Sequence, residues 1–126
     1  MKASVSEVIL VGYSGHSYVV ADILLQNGAK IRGYFDRIEK DFNPFSLNYL
    51  GTDNPDTWKE DFSTCGFIVA IGDNSIRGRI YGSFKEKEIE LINAIHTSAI
   101  ISGTVKVGKG LMIMPGVVVY TFVQIG

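Results

Sequence analysis

Short apolar runs and one helical stripe alternate along the first part of the chain. The run "EVILVG" at 7–12 is rich in β-branched residues and ends in glycine, which predicts a buried strand. After the turn "GYSG" at 12–15, apolar residues recur at helical spacing as far as Gln26, where "NG" is typical of a helix end. The run "KIRGYFD" at 30–36 predicts a second strand. The sequence therefore indicates a strand–helix–strand unit of the parallel kind.

The middle of the chain is less regular. Residues 37–64 are rich in turn-forming residues. The run "GFIVAIG" at 66–72 predicts a third buried strand, a helix is expected after it, and "IELINAI" at 89–95 indicates a fourth strand. We therefore expect residues 1–94 to form a small Rossmann-like α/β domain with a parallel sheet.

From Ile95 onward the apolar residues follow a repeat of six. Cut into sixes, the chain reads IHTSAI, ISGTVK, VGKGLM, IMPGVV, VYTFVQ and IG. The first position of every unit is Ile or Val, and the fifth position of every full unit is Ala, Val or Leu. Helical spacing and simple strand alternation do not produce this pattern, whereas the faces of a triangular β-helix do. We expect residues 95–126 to begin such a β-helix, with a valine-rich sandwich as the alternative.

The composition limits the kinds of molecule that the chain is expected to bind. The chain has 126 residues, of which 46% are hydrophobic and 20% charged, as in a folded globular protein. A formal net charge of −1 gives no basic field, so we expect no binding to nucleic acid. No apolar stretch approaches the ~18 residues of a membrane span, so no membrane insertion is expected. With a single cysteine, Cys65, and no signal peptide, the expected location is the reducing cytoplasm.

Segments from both halves of the chain resemble a known enzyme family. In chain order they are "VILVGYSGHSYVVADIL", "GYFD", "VAIGDNSIRGRIY" and "AIHTSAIISGTVKVGKGLMIMPGVVV". Together they resemble the sugar O-/N-acyltransferases of the sialic acid O-acetyltransferase and bacillosamine N-acetyltransferase type. The resemblance implies a Rossmann-like domain for a nucleotide-sugar, such as a UDP-activated amino sugar, or for a glycan. It also implies a left-handed parallel β-helix that uses acetyl-CoA as co-substrate, and a homotrimer.

The turn Gly12-Tyr13-Ser14-Gly15-His16 joins the first strand to a helix. Glycines let the backbone approach an anion closely, and a helix N-terminus supplies unpaired N–H groups, so a phosphate or pyrophosphate suits this position. The resemblance implies that Gly12, Ser14, Gly15 and His16 contact the nucleotide-sugar. The alternatives are a tight turn without a ligand and a histidine that merely packs on the loop.

An NAD site is the main competing hypothesis for this turn. The fingerprint G-x-G-x-x-G would need glycine where the chain has Ser14 and Ser17, which argues against a dehydrogenase. Asp36, at the end of the second strand, would suit a ribose hydroxyl in a dinucleotide site. In the resembling family, Asp36 and Arg37 would instead meet the uridine part of the substrate. The two hypotheses share a geometry and differ in the ligand.

The third predicted strand ends in Gly72-Asp73-Asn74. Asp73 or Asn74 would make a good helix N-cap without any further function. The resemblance places this stretch beside the sugar, so Gly72, Asp73 and Asn74 are also candidate substrate-binding residues. The arginines that follow, Arg77 and Arg79, are either phosphate partners or surface charges.

Acetyl transfer needs a base near the acceptor and donors for the developing oxyanion. Resembling enzymes take the base from a histidine further along the β-helix than Gly126, and His96 is expected to be structural. We therefore expect no catalytic residue and no metal site in the chain, which would be the substrate-binding part of a truncated enzyme. The alternatives are a catalytically silent nucleotide-sugar-binding module and an unrelated NAD- or CoA-binding Rossmann-like domain.

Overall fold

The computed structural model describes residues 7–92 and, beyond them, a series of two-residue strands. A four-stranded parallel sheet has the strand order β3-β2-β1-β4. Its strands are β1 (Glu7–Val11), β2 (Ile31–Phe35), β3 (Tyr49–Gly51) and β4 (Cys65–Val69). Two helices follow strands directly: α1 (Gly15–Gln26) after β1 and α2 (Asn74–Glu86) after β4. A 3₁₀ turn at Pro55–Thr57 lies between β3 and β4.

The two helices cover opposite faces of the sheet. Successive side chains of a strand point to opposite faces, so β1 sends Val8 and Leu10 towards α1, and Ile9 and Val11 towards α2. Leu10 pairs in register with residues of both neighbouring strands, β2 and β4. Because β1 and β4 are buried on both faces, their sequences are continuous apolar runs. The predicted α/β fold with a parallel sheet is confirmed for this part of the chain.

An aromatic cluster fills the α2 face of the sheet. The Trp58 ring stacks on Phe35, with centroids 4.4 Å apart, and on Phe67 at 5.3 Å. Phe84 of α2 meets Trp58 edge to face at 5.7 Å. Aromatic pairs of this kind stabilise by about 0.5–1.5 kcal/mol beyond their area burial. The cluster anchors the irregular segment between β3 and β4 against the sheet.

Strand β1 lies at the point where the strand order reverses. It has β2 on one side and β4 on the other, and the helices that follow β1 and β4 pack on opposite faces. In open α/β sheets, ligands bind in the crevice outside the carboxyl ends of the strands at such a point. A ligand site is therefore expected at the carboxyl ends of β1 and β4, beyond Val11 and Val69.

Two details of the predicted sheet need correction. Strand β3 lies within 37–64, the part predicted to be irregular; it is three residues long and only half-buried, so its apolar signal is weak. Within the segment predicted as a fourth strand, 89–95, Leu91 forms an isolated parallel bridge with Phe67, and Ala94–Ile95 forms a separate two-residue strand. The Phe67 N–H donates to the carbonyl of Glu90 at 2.8 Å, so this segment touches the edge of β4 only briefly.

Beyond residue 92 the structure describes only short strands. They are β5 (Ala94–Ile95), β6 (Ile100–Ile101), β7 (Lys106–Val107), β8 (Met112–Ile113), β9 (Val118–Val119) and β10 (Gln124–Ile125). Each of the first three pairs in parallel with the strand three places further along: β5 with β8, β6 with β9 and β7 with β10. The rest of the expected β-helix segment lies outside the described residues, and the boundary between 94 and 95 stays a prediction.

Candidate functional site

A cavity of about 150 Å³ lies at the carboxyl edge of the sheet, where β1, β2 and β4 end. Its lining residues come from strand ends and the segments that follow them: Gly12, Ser14, Asp36, Arg37, Lys40, Asp53, Ile71, Gly72 and Ile76. The other predicted site residues lie at the starts of the two helices beside it: Gly15, His16, Asp73 and Asn74. The structure thus brings all the predicted site residues to one edge of the sheet.

Gly12 is required by the fold itself. Its φ is +95°, a conformation that L side chains rarely adopt. Its N–H donates to the carbonyl of Phe35 at 2.8 Å. A Cβ at this position would lie 2.6 Å from Cγ1 of Ile71 and 3.3 Å from the carbonyl oxygen of Ala70. The glycine therefore allows the end of β1 to pass close to the end of β4.

Gly15, the first residue of α1, has a different role. Among the described residues outside its own turn, a Cβ at Gly15 would meet nothing within 4 Å, so packing there does not require glycine. The preceding N-cap, Ser14, is held through its backbone, because its N–H donates to Oγ of Ser17 at 2.7 Å and its carbonyl accepts from that hydroxyl at 2.6 Å. Of the first N–H groups of α1, that of Ser17 donates to the Ser14 carbonyl at 2.7 Å, whereas those of Gly15 and His16 come too early in the helix to have a helical acceptor. The space above Gly15 therefore suits an anion.

His16 follows in the same turn and is half-buried. Its Nε2 atom is buried and finds no hydrogen-bond partner within the described part of the chain. A buried polar atom without a partner costs about 1–3 kcal/mol. A Cβ at Gly72 would lie 3.8 Å from Cβ of His16, so His16 lies beside the turn that follows β4. An acceptor or donor group on a ligand would supply the missing partner.

The Asp36 carboxylate fastens the turn after β1 to the end of β2. Its Oδ2 accepts from the Tyr13 N–H at 2.9 Å, and its Oδ1 accepts from the Arg37 N–H at 2.7 Å. Lys40 places its Nζ 3.7 Å from the same Oδ2. The sequence predicted a ligand contact for Asp36, whereas the structure gives both carboxylate oxygens a structural partner. An ionised carboxylate has further acceptor capacity, so both roles are compatible.

Two charged residues of the cavity have no counterpart in the sequence prediction. Lys40 and Asp53 line the cavity together with Arg37 and Asp36, which gives two cations and two carboxylates. Lys40 follows Asp36 by four positions and pairs with it, a spacing that is visible in the sequence. Asp53 enters from the segment after β3, and no local motif marks it. The cations can approach a phosphate, and the carboxylates can accept from hydroxyls.

The start of α2 is occupied by the chain's own groups. Oδ1 of Asp73 accepts from the Ile76 N–H at 2.9 Å, which is the expected N-cap. Arg77 donates from Nη1 to the carbonyl of Ile71 at 3.0 Å and from Nη2 to Oδ1 of Asn74. Arg77 therefore holds the turn after β4 together, as a structural residue. Asp73 and Asn74 do not line the cavity, although Gly72 does.

A larger cavity, of about 590 Å³, lies at the opposite edge of the sheet, beside the start of β4. Its apolar wall is aromatic, with Trp58, Phe62 and Phe67. Its charged lining is mostly acidic, with Lys87 among the carboxylates Asp56, Glu60, Asp61, Glu88 and Glu90. Clustered carboxylates repel a phosphate. The smaller cavity is therefore the better candidate for an anionic ligand, in spite of its size.

The described part of the chain contains neither a metal-binding cluster nor a membrane-spanning helix. Among the described residues, no group of His, Cys, Asp and Glu side chains is placed to hold a metal ion. No helix among them has the length and apolar character that crossing a membrane requires. His96, expected to be structural, lies outside the described residues.

Known proteins share both the sequence pattern and the fold. The family described as "PglD N-terminal domain" matches residues 7–84. The chain is 35% identical over 105 residues to the uncharacterized protein L142 of Acanthamoeba polyphaga mimivirus, which covers 82% of this chain and 20% of that protein. It is 27% identical over 109 residues to the UDP-N-acetylbacillosamine N-acetyltransferase of Bacillus subtilis strain 168. The matched stretch is 85% of this chain and 50% of that protein.

A solved structure of similar fold is PerB from Caulobacter crescentus, in complex with CoA and GDP-perosamine. The TM-score is 0.78 at 26% sequence identity, over 100% of this chain and 59% of that one. The chain therefore spans half or less of the two curated relatives and somewhat more than half of PerB. The similarity covers the sheet and both helices that border the cavity at the carboxyl edge.

Proposed function

Because the chain belongs to the family of the PglD N-terminal domain, we propose that it binds a nucleotide-activated sugar for acetyl-CoA-dependent O- or N-acetylation. One observation carries the proposal: the cavity at the carboxyl edge lies beside a helix start that the chain leaves open. Arg37 and Lys40 line that cavity, and His16 in the first turn of the helix has a buried Nε2 without a partner among the described residues. Relatives named for UDP- and GDP-sugars support a nucleotide-sugar as the ligand class.

The roles of the residues follow from their positions. The diphosphate lies over Gly15, where the N–H groups of Gly15 and His16 and the dipole of α1 favour negative charge. Arg37 and Lys40 neutralise it from the β2 side, and Asp36 with Arg37 meets the nucleoside. Gly12 and Ser14 form the floor of the site, and His16 contacts the phosphate or the sugar. The turn after β4, with Gly72, Asp73 and Asn74, lies on the side of the sugar.

We also propose that residues 95–126 begin a left-handed parallel β-helix, as a second unit after residues 1–94. The support is the series of two-residue strands, each recurring after one repeat of the apolar pattern. The parallel pairing of each strand with the strand three places on is what a triangular coil produces. Acetyl-CoA as co-substrate and a three-fold assembly belong to this proposal. The CoA in the PerB complex supports the first of these.

Binding measurements on the chain test the ligand class. Isothermal titration with UDP, GDP and NAD at low ionic strength should give saturable binding of a nucleoside diphosphate and weaker binding of NAD. UDP is expected to bind more tightly than GDP. A preference for NAD over both diphosphates would contradict the proposal and favour a dinucleotide-binding domain.

A turnover assay tests the proposed reaction. The chain is incubated with acetyl-CoA and UDP-4-amino-sugars, and the release of free thiol is followed. Thiol release that depends on the amino sugar supports acetyl transfer by the chain. UDP-sugar binding without thiol release would instead favour a binding module that leaves the chemistry to another polypeptide segment.

A further inference from the structure

The loop between β2 and β3, residues 36–48, carries both cations of the cavity and has no regular secondary structure. The hydroxyls of three tyrosines form hydrogen bonds with residues of this loop. The Tyr49 hydroxyl donates to the carbonyl of Asp36 at 3.1 Å, and the Tyr34 hydroxyl accepts from the Lys40 N–H at 2.8 Å. These two bonds hold the backbone immediately before Arg37 and at Lys40. The cations are therefore placed by tyrosines that lie outside the loop or at its border.

The third hydroxyl belongs to Tyr13, in the turn after β1. It donates to Oδ1 of Asn43 at 2.7 Å and accepts from the Phe45 N–H at 3.1 Å. The Asn43 amide in turn donates to the carbonyl of Leu47 at 2.7 Å, and its Oδ1 accepts from the Leu47 N–H at 2.9 Å. One asparagine side chain thus closes the second half of the loop and joins it to Tyr13.

The three tyrosines form a continuous row on the α1 face of the sheet. The rings of Tyr13 and Tyr34 are 4.5 Å apart between centroids, and those of Tyr34 and Tyr49 are 5.4 Å apart. Tyr13 and Tyr34 are fully buried. Burial raises the pKa of Tyr13 and of Tyr49, so both phenols keep the proton that they donate.

Tyr13 connects the loop to the helix start directly. Its N–H donates to Asp36 at the first residue of the loop, while its hydroxyl reaches Asn43 and Phe45 in the second half. The turn that leads into α1 and the loop that carries the cations therefore form one hydrogen-bonded unit. A buried polar arrangement with its partners satisfied favours a single geometry over alternatives.

We propose that the hydroxyls of Tyr13, Tyr34 and Tyr49 position Arg37 and Lys40 against the start of α1, and so set a preference for a nucleoside diphosphate over a monophosphate. This inference rests on the proposed function. The tyrosines act as positioning residues, since among the described residues the hydrogen bonds of their hydroxyls are all with the loop. Asn43 belongs to the same arrangement as the partner of Tyr13.

The test uses the full chain and the variants Tyr13→Phe, Tyr34→Phe and Tyr49→Phe. Each removes one hydroxyl and keeps the ring, so the packing of the row is retained. We expect UDP affinity to fall about 3- to 10-fold in each variant, the effect of losing one hydrogen bond. UMP affinity should fall less, so the ratio of UDP to UMP affinity decreases. Tyr18→Phe is the matched control, because its ring packs on Tyr13 and Phe42, and its affinity ratio should stay at the wild-type value.

A double-variant cycle separates positioning from general stability. In a chain that already carries Arg37→Ala and Lys40→Ala, Tyr13→Phe should cause no further loss of UDP affinity. If the three phenylalanine variants fold and keep the wild-type ratio, the inference is wrong while the proposed function stands. If the wild-type chain binds no nucleoside diphosphate, both fail. If Tyr13→Phe and Tyr34→Phe, at the two fully buried positions, do not fold, the result for Tyr49→Phe decides the test, because Tyr49 is only half-buried.

Discussion

The two helices begin at the same edge of the sheet, after neighbouring strands, but their first turns are built differently. At α2 the chain supplies its own partners: Asp73 caps the helix, and Arg77 covers the carbonyls of the preceding turn. At α1 the first residue is Gly15, above which a Cβ would meet nothing within 4 Å, and Nε2 of His16 has no partner among the described residues. Ser14 and Ser17 bond to each other at the start of α1, where the Ser17 N–H donates to the Ser14 carbonyl at 2.7 Å, but no arginine of the described residues covers that turn as Arg77 does at α2. The same strand–turn–helix arrangement therefore gives one start closed by charged side chains and one that leaves the side of Gly15 accessible.

The difference shows why a glycine or a cap has to be judged in its surroundings. Gly12 and Gly15 belong to one short motif, yet the fold requires the first and leaves the second free. Asp73 and Ser14 are both N-caps, but only Ser14 lines the cavity. An open helix start with cations beside it is suited to an anionic ligand.

The largest effect is expected for Gly12→Ala. The new methyl group would clash with Ile71 in a backbone conformation that alanine rarely adopts. Positive φ and overpacking together should lower the free energy of unfolding by about 2–4 kcal/mol. Urea denaturation followed by circular dichroism measures this. A variant as stable as wild type would show that the close approach of the ends of β1 and β4 is not maintained.

Gly15→Ala should separate binding from stability. Alanine is a better helix residue than glycine, so the free energy of unfolding should rise or stay within about 1 kcal/mol of wild type. The methyl group enters the space assigned to the diphosphate, and UDP affinity should fall about tenfold or more, as for a lost charge-assisted contact. Calorimetry measures the affinity. Unchanged affinity in a folded variant would place the diphosphate elsewhere.

A smaller effect is expected for Arg37→Ala. Removing an exposed cation beside the ligand should weaken UDP binding about 2- to 5-fold and reduce the dependence of affinity on salt concentration. Arg79→Ala is the matched control, because Arg79 is an exposed cation on α2 outside the cavity. Equal losses in the two variants would indicate a general charge effect with no specific contact at Arg37.

The smallest effect concerns alkaline pH. Burial raises the pKa of Tyr13 above the ordinary value of 10.0, so the unfolded chain loses this proton at a lower pH than the folded chain does. The folded state is then disfavoured as pH rises through this range. Above pH 10 the free energy of unfolding should fall more steeply for wild type than for Tyr13→Phe. Parallel curves would show that the phenol is ionised equally easily in both states.

The sequence alone predicted the helix and strands whose apolar side chains are buried. β1, β2 and β4 coincide with the predicted strands because each lies in a buried sheet, and α1 shows its stripe for the same reason. β3 gave no such signal, because three half-buried residues produce too little apolar pattern.

The residues of the candidate site also differ in whether the sequence could predict them. Gly12, Asp36 and the cap of α2 follow from local rules for turns and strand ends. Lys40 and Asp53 depend on the path of two loops, and that path is set by contacts between residues far apart in sequence, such as Tyr13 with Asn43. The open state of the α1 start is also invisible in the sequence, because it depends on which side chains fail to reach it.

A titration of ¹⁵N-labelled chain with UDP, followed by NMR, tests the central claim most directly. If the diphosphate binds over the start of α1, the largest shifts should appear at the amides of Gly15 and His16, with smaller ones at Arg37 and Lys40. The Nε2 resonance of His16 should move as it gains a partner. Shifts concentrated instead around Glu60 and Glu88, at the larger acidic cavity, would contradict the account.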